Sequence, residues 1–204
     1  MPINISKLFQ GLRKNSPFIT IVSGLPRSGT SMMQKMLEAG GIEPLTDLLR
    51  KADDNNPNGY YEYERVKALR QGDVAWLASA QGKSVKVISE LLQYLPGNYS
   101  YRILFMERNI NEVLASQQKM LASQGKSDAA TDEQLAQLFA QHIHRTKTWI
   151  AAQPNMRVLY VDYNQVLQNP QEIVDRINRF LGGNLQIDAM GEVVDPNLYR
   201  QRKA

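Results

Sequence analysis

Residues 19–31 read Ile-Thr-Ile-Val-Ser-Gly-Leu-Pro-Arg-Ser-Gly-Thr-Ser. An apolar, β-branched run breaks into a Gly/Pro-rich turn, and apolar residues then recur at helical spacing. A strand that ends in such a turn and re-enters a helix aims several backbone N–H groups and the positive helix end at one point, where a compact anion can sit. Three further apolar runs, at 85–89, 102–106 and 157–162, have the length and β-branched content of buried parallel strands. Helical patterns lie between them. The first starts after Gly29, carries Met32, Met33, Met36 and Leu37, and stops at Gly40-Gly41. The second runs from about Asn111, and Val113, Leu114 and Met120 form its apolar side. The third opens on the capping box Thr131-x-x-Gln134 and continues to about Ala152. The last has Asn169 as cap, Pro170 at its first position and Gly182 beyond its end.

Strands alternating with helices predict a parallel sheet covered on both faces and joined by right-handed crossovers. The expected fold is α/β: a three-layer, P-loop-like domain whose central parallel sheet has roughly four to five strands flanked by helices. A chain of 204 residues with 43% hydrophobic and 22% charged residues can build one such core. The expected organisation is a single domain over 1–204, with 1–16 as a lead-in and 190–204 as a tail that closes over the ligand. Two stretches break the alternation. Residues 47–64 are polar and turn-rich with aromatics at their end, and 122–130 read as an exposed flexible loop. Both are candidates for substrate-facing loops at the carboxyl ends of strands, with an ordinary solvated loop the preferred reading of 122–130.

Composition removes several chemistries. The chain has no cysteine, so disulfides, thiolate metal sites, iron–sulfur clusters and cysteine nucleophiles are excluded. The net charge of +4 is mild, and no basic cluster interleaved with aromatics points to nucleic acid. No apolar run approaches the ~20 residues of a membrane helix, and the first residues lack the cationic start and apolar stretch of a secretory signal. A cytoplasmic protein is expected.

The turn resembles the nucleotide-triphosphate loop G-x-x-x-x-G-K-[ST] in the spacing of Gly24 and Gly29 and in the hydroxyl of Ser31. Thr30 stands where that loop has its lysine. Arg27 instead puts a planar, permanently charged fork inside the loop. PRSGTS after a strand resembles the 5′-phosphosulfate loop of sulfotransferases that use 3′-phosphoadenosine 5′-phosphosulfate (PAPS). That resemblance implies Arg27, Ser28, Gly29, Thr30 and Ser31 as nucleotide-binding residues. It extends to RILFMERNINEVLASQQKML, where Arg108 at a strand end and Ser116 eight residues later match the pair that holds the 3′-phosphate. The stretches NPNGYYEYERV, KVISELLQYLP, LYVDYNQVLQNP and VDPNLYRQR are similar to the bacterial sulfotransferase-like branch over nearly the whole chain. The tyrosine of VDYNQVL implies Tyr163 near the adenine, although a tyrosine closing a buried strand is the other reading. No metal is expected to be required.

The sequence departs from the cytosolic branch in two places. Arg27 replaces a loop lysine, as in the tyrosylprotein sulfotransferases. The region after the next strand, Lys86-Val-Ile-Ser89, lacks that branch's catalytic histidine. His142 and His144 fall within a helix far along the chain and read as surface or satisfied side chains. Related branches use a glutamate, and Glu62, preceded by two aromatics that would partly desolvate it, is the candidate base. Glu64 is the second candidate, and both carboxylates also suit the opening turn of a helix. Lys86 would assist the leaving group if it faces the site. Arg200 and Arg202 would add positive charge near the 3′-phosphate if the tail folds back. The resemblance thus implies sulfuryl transfer from PAPS to a hydroxyl or amine of a small-molecule, sugar, lipid or peptide acceptor. A P-loop kinase and a non-catalytic adenine-nucleotide-binding module are the alternatives.

Overall fold

The computed structural model describes residues 17–47, 49, 59–123, 125 and 130–195. Strand β1 (Phe18–Gly24) leads into α1 (Thr30–Ala39). Three 3-10 segments, Glu64–Gln71, Ala75–Ala80 and Ser89–Tyr94, flank the short β2 (Ser84–Lys86). Then come β3 (Ser100–Glu107), α2 (Ile110–Ser123), α3 (Asp132–Ala151) and β4 (Met156–Asp162). Three helices follow: α4 (Tyr163–Gln168), α5 (Pro170–Leu181) and α6 (Ile187–Glu192).

The four described strands form one sheet in the order β2-β1-β3-β4, and every pair is parallel. The register pairs Val22 with Lys86, Gly24 with Met106 and Glu107 with Asp162, so all four carboxyl ends share one edge. The chain moves to one side of β1 for β2 and to the other for β3. That reversal makes the carboxyl end of β1 a topological switch point, the position where α/β sheets take ligands.

Each sheet face has its own core, and the period-two alternation of the strands assigns residues to them. Ile19, Ile21, Val85, Val87, Tyr101, Ile103 and Phe105 pack on one face against Trp76, Leu77, Leu91, Leu92 and Ile150. Val22, Leu104, Met106 and Val161 pack on the other against Met33, Met36, Val166, Ile173, Val174, Ile177 and Met190. Side chains of this kind stabilise the fold by roughly 1.5–3 kcal/mol each when fully buried. This is the three-layer arrangement that the alternating pattern predicts.

The local differences have identifiable causes. The run expected as a strand over 85–89 is ordered as a strand only to Lys86. Val87 N–H still reaches the Val22 carbonyl at 3.0 Å, but the chain then turns at Ile88 and Ser89 begins a 3-10 segment. The Thr131 capping box forms with both reciprocal bonds. Asn169 precedes Pro170 as expected but makes no side-chain cap; its Nδ2 donates to Gln165 Oε1 at 3.3 Å instead. Asp162 is the cap that sequence reading missed. Its Oδ1 accepts from Gln165 N–H at 2.9 Å, ends β4 and starts α4, so Tyr163 opens a helix rather than closing a strand. His142 Nε2 lies 2.8 Å from Ser89 Oγ, and His144 is exposed. Parts of the stretches 47–64 and 122–130, the lead-in 1–16 and tail residues 196–204 lie outside the described residues. No described helix is long and apolar enough to cross a membrane.

Candidate active site

The site is built on the turn between β1 and α1. Leu25, Pro26, Arg27 and Ser28 form a tight turn closed by Ser28 N–H and Ser28 Oγ, which donate to the Leu25 carbonyl at 3.2 and 2.7 Å. Pro26 sets the backbone of the position before Arg27, and Arg27 itself adopts a left-handed φ of 69°. For a residue with a Cβ that conformation costs roughly 1–2 kcal/mol. Two contacts offset it. Arg27 Nε donates to Ser116 Oγ at 3.0 Å, and the Arg27 carbonyl accepts from Arg108 Nη1 at 3.1 Å.

Gly29 caps α1 with φ 97°, and a Cβ there would lie 2.4 Å from the Tyr163 ring. Glycine therefore allows the loop to lie against that tyrosine. The first turn of α1 carries no acidic residue and receives no side-chain cap. Its positive end carries the half-buried Thr30 and Ser31, and no carboxylate of its own first turn offsets that partial charge.

Arg108 follows the end of β3 and reaches back across this loop. Its Nε donates to Glu112 Oε2 at 3.0 Å, and its guanidinium lies 4.4 Å from the Tyr163 ring centroid. Burial raises the Tyr163 phenol above its ordinary titration range, the nearby Arg108 opposes that shift, and Glu112 adds to it. Arg27, Arg108, Ser116 and Tyr163, chosen from three separate stretches of sequence, therefore meet around one turn. Ser28 is fully buried with its hydroxyl committed to Leu25, so its visible work is the shape of the loop.

A second cluster stands at the carboxyl end of β2. Lys86 shares a face with Ser84, which bonds Gln34 of α1 at 2.7 Å, and its neighbours Val85 and Val87 point into the opposite core. This settles the orientation that alternation alone left open. Lys86 Nζ donates to the Tyr60 carbonyl and lies 4.0 Å from Glu62 Oε1. The Glu62 backbone is fixed as well: its carbonyl accepts from Thr46 Oγ1 at 2.8 Å and Asp47 N–H at 3.3 Å. Glu64 takes a different course. It opens the 3-10 segment, pairs with Lys67 at 2.7 Å, and its N–H donates to Asp47 Oδ2 at 2.6 Å. Arg200 and Arg202 lie outside the described residues. Sequence reading missed Glu112, although its position four residues after Arg108, in the first turn of the helix that follows, was the available signal.

A Gly-bounded loop, a helix start without a side-chain cap and two converging arginines stand on the doubly covered parallel sheet of an α/β protein. Residues 19–202 match the family model of the sulfotransferase domain, and the chain belongs to that family. Sulfotransferase STF9 from Mycobacterium avium superposes with a TM-score of 0.53 at 12% identity, covering 98% of this chain and 73% of that one. Mouse sulfotransferase SULT7A1 complexed with PAP gives 0.51 at 14% identity, over 87% of this chain; the match spans 62% of the mouse chain, less than two thirds. The sulfotransferase domain from the curacin biosynthetic pathway gives 0.50 at 14% identity, covering 82% and 75%. At these identities the likeness speaks for the fold. A search of curated sequences finds no match.

Proposed function

We propose that this single domain transfers a sulfuryl group from PAPS to a hydroxyl or amine of a small-molecule, sugar, lipid or peptide acceptor. The observation that carries the reading is the meeting of Arg27, Arg108 and Ser116 at the start of α1: the Arg27 side chain reaches Ser116 at 3.0 Å and its carbonyl takes Arg108 at 3.1 Å. A donor with a phosphosulfate at one end and a 3′-phosphate at the other needs two neighbouring cationic positions, and the loop and the β3–α2 junction supply one each. The donor contributes an activated sulfur whose bond to the bridging phosphate oxygen breaks as the acceptor bond forms. Arg27, the N–H groups of Gly29, Thr30 and Ser31, and Lys86 meet the charge that grows on the bridging and sulfuryl oxygens. Arg108 and Ser116 hold the 3′-phosphate, and Tyr163 supports the adenine end. Glu62 takes the acceptor's proton, with Lys86 holding its carboxylate in place.

Calorimetry on two nucleotides tests the assignment. Arg108→Ala leaves the 3′-phosphate without its charged fork, a loss of roughly 1.5–3 kcal/mol. The variant is expected to bind adenosine 3′,5′-bisphosphate about tenfold or more weakly and 5′-AMP almost as before. Equal losses for both nucleotides would make Arg108 a support of the fold only.

A further inference from the structure

Glu112 has no part in the chemistry above, yet it is 5% exposed on a helix that borders the site. A buried carboxylate is costly unless it is paired and hydrogen-bonded. This one is placed against Arg108, whose side chain is itself 8% exposed, and its other oxygen faces Asn164 Nδ2 of α4 at 3.5 Å. The guanidinium is thereby located from three directions. Glu112 holds its Nε edge, the Tyr163 ring lies beneath it at 4.4 Å, and Nη1 reaches the Arg27 carbonyl at 3.1 Å. The same contact helps hold Arg27 in its left-handed turn. One carboxylate therefore ties α2 and α4 to the loop through Arg108.

We infer that Glu112 is a positioning residue for nucleotide selection: by holding the Nε edge of Arg108, it turns the guanidinium so that its remaining edge meets both the loop and the 3′-phosphate. The inference rests on the PAPS reading. It also makes a prediction opposite in sign to the simplest electrostatic one. If the charge of Glu112 only cancelled that of Arg108, removing it would tighten binding of a nucleotide with two phosphates. If Glu112 positions Arg108, removing it weakens that binding selectively.

The test compares wild type, Glu112→Gln and Glu112→Asp by calorimetry with adenosine 3′,5′-bisphosphate and with 5′-AMP, after ligand-free melts show which variants fold. The ratio of the two affinities is the readout. In Glu112→Gln the preference for the bisphosphate should fall about tenfold, while 5′-AMP affinity stays within about twofold. Glu112→Asp keeps the charge on a shorter stem and should give an intermediate ratio. It decides the matter alone if the Gln variant does not fold. In the ligand-free protein, the Arg108 Nε–H should exchange slowly by NMR in wild type and faster in Glu112→Asp. An unchanged ratio, a tightened bisphosphate, or equal losses for both nucleotides would overturn the positioning role. A wild type that binds both nucleotides equally would overturn the PAPS reading, and the exchange rates would still show whether Glu112 tethers Arg108.

Discussion

Arg27 combines a strained backbone with two anchoring contacts, and strain of this kind persists only where the surroundings over-determine it. Its φ of 69° is held by Arg108 on the carbonyl and Ser116 on the side chain. Arg27→Ala removes the side-chain contact and the loop's cation but keeps the carbonyl and the backbone donors. Turnover should then fall by more than nucleotide affinity, because the charge that Arg27 meets grows as the S–O bond breaks. Weakened binding with unchanged turnover, in single-turnover kinetics, would make it a ground-state anchor. Glu62→Gln keeps shape and removes basicity. The expected drop in rate is about 10²–10⁴, with bisphosphate binding nearly unchanged and Glu64→Gln as the control. A Glu62→Gln protein with full turnover would put the base elsewhere. These side chains were legible in sequence as types and spacings. Their partners were not: nothing local to Glu62 announces Lys86, 24 positions away, and nothing in PRSGTS announces a bond to Ser116.

The strand–turn–helix of β1 and α1 was readable because each local signal agrees with the others: β-branched run, Pro26, two glycines and a methionine-rich apolar stripe. Strand β2 was harder. Its apolar run continues to Ile88, but backbone pairing beyond Val87 gives way to a turn and a 3-10 segment, a competition that composition does not resolve. The short α4 was hidden because Asp162 reads equally well as a strand end and as a cap. Burial of tyrosines on these elements has a pH signature. Tyr101 on β3, whose hydroxyl donates to the Pro96 carbonyl at 3.0 Å, and Tyr163 on α4 are both raised above the ordinary phenol range, chiefly by desolvation. The unfolded chain gives up these protons first, near pH ~10. Their contribution is therefore fully present below that pH and is lost as pH rises through the higher folded values. Denaturant midpoints should fall between pH 9.5 and 11 by roughly the sign and slope of this linkage. Tyr101→Phe should flatten the fall, whereas an identical slope in that variant would exclude Tyr101 as a source.

Across the molecule, the two cores brace the sheet from both sides and bring the carboxyl ends of β1, β2 and β3 to one edge. That edge carries Arg27, Lys86 and Arg108, three cations from three strand ends, and the last two lie beside the carboxylates of Glu62 and Glu112. The layer order followed from the alternation of strands and helices. The strand order β2-β1-β3-β4 did not, because parallel crossovers leave the side of departure open. The central claim is that this edge receives a nucleotide with a 3′-phosphate. A melting-temperature screen with adenosine 3′,5′-bisphosphate, ATP and ATP–Mg²⁺ tests it most directly. At ~100 times its dissociation constant the bisphosphate should add roughly 2.7 kcal/mol, a rise of about 5–10 °C, and exceed both forms of ATP. A shift with ATP–Mg²⁺ and none with the bisphosphate would contradict the account.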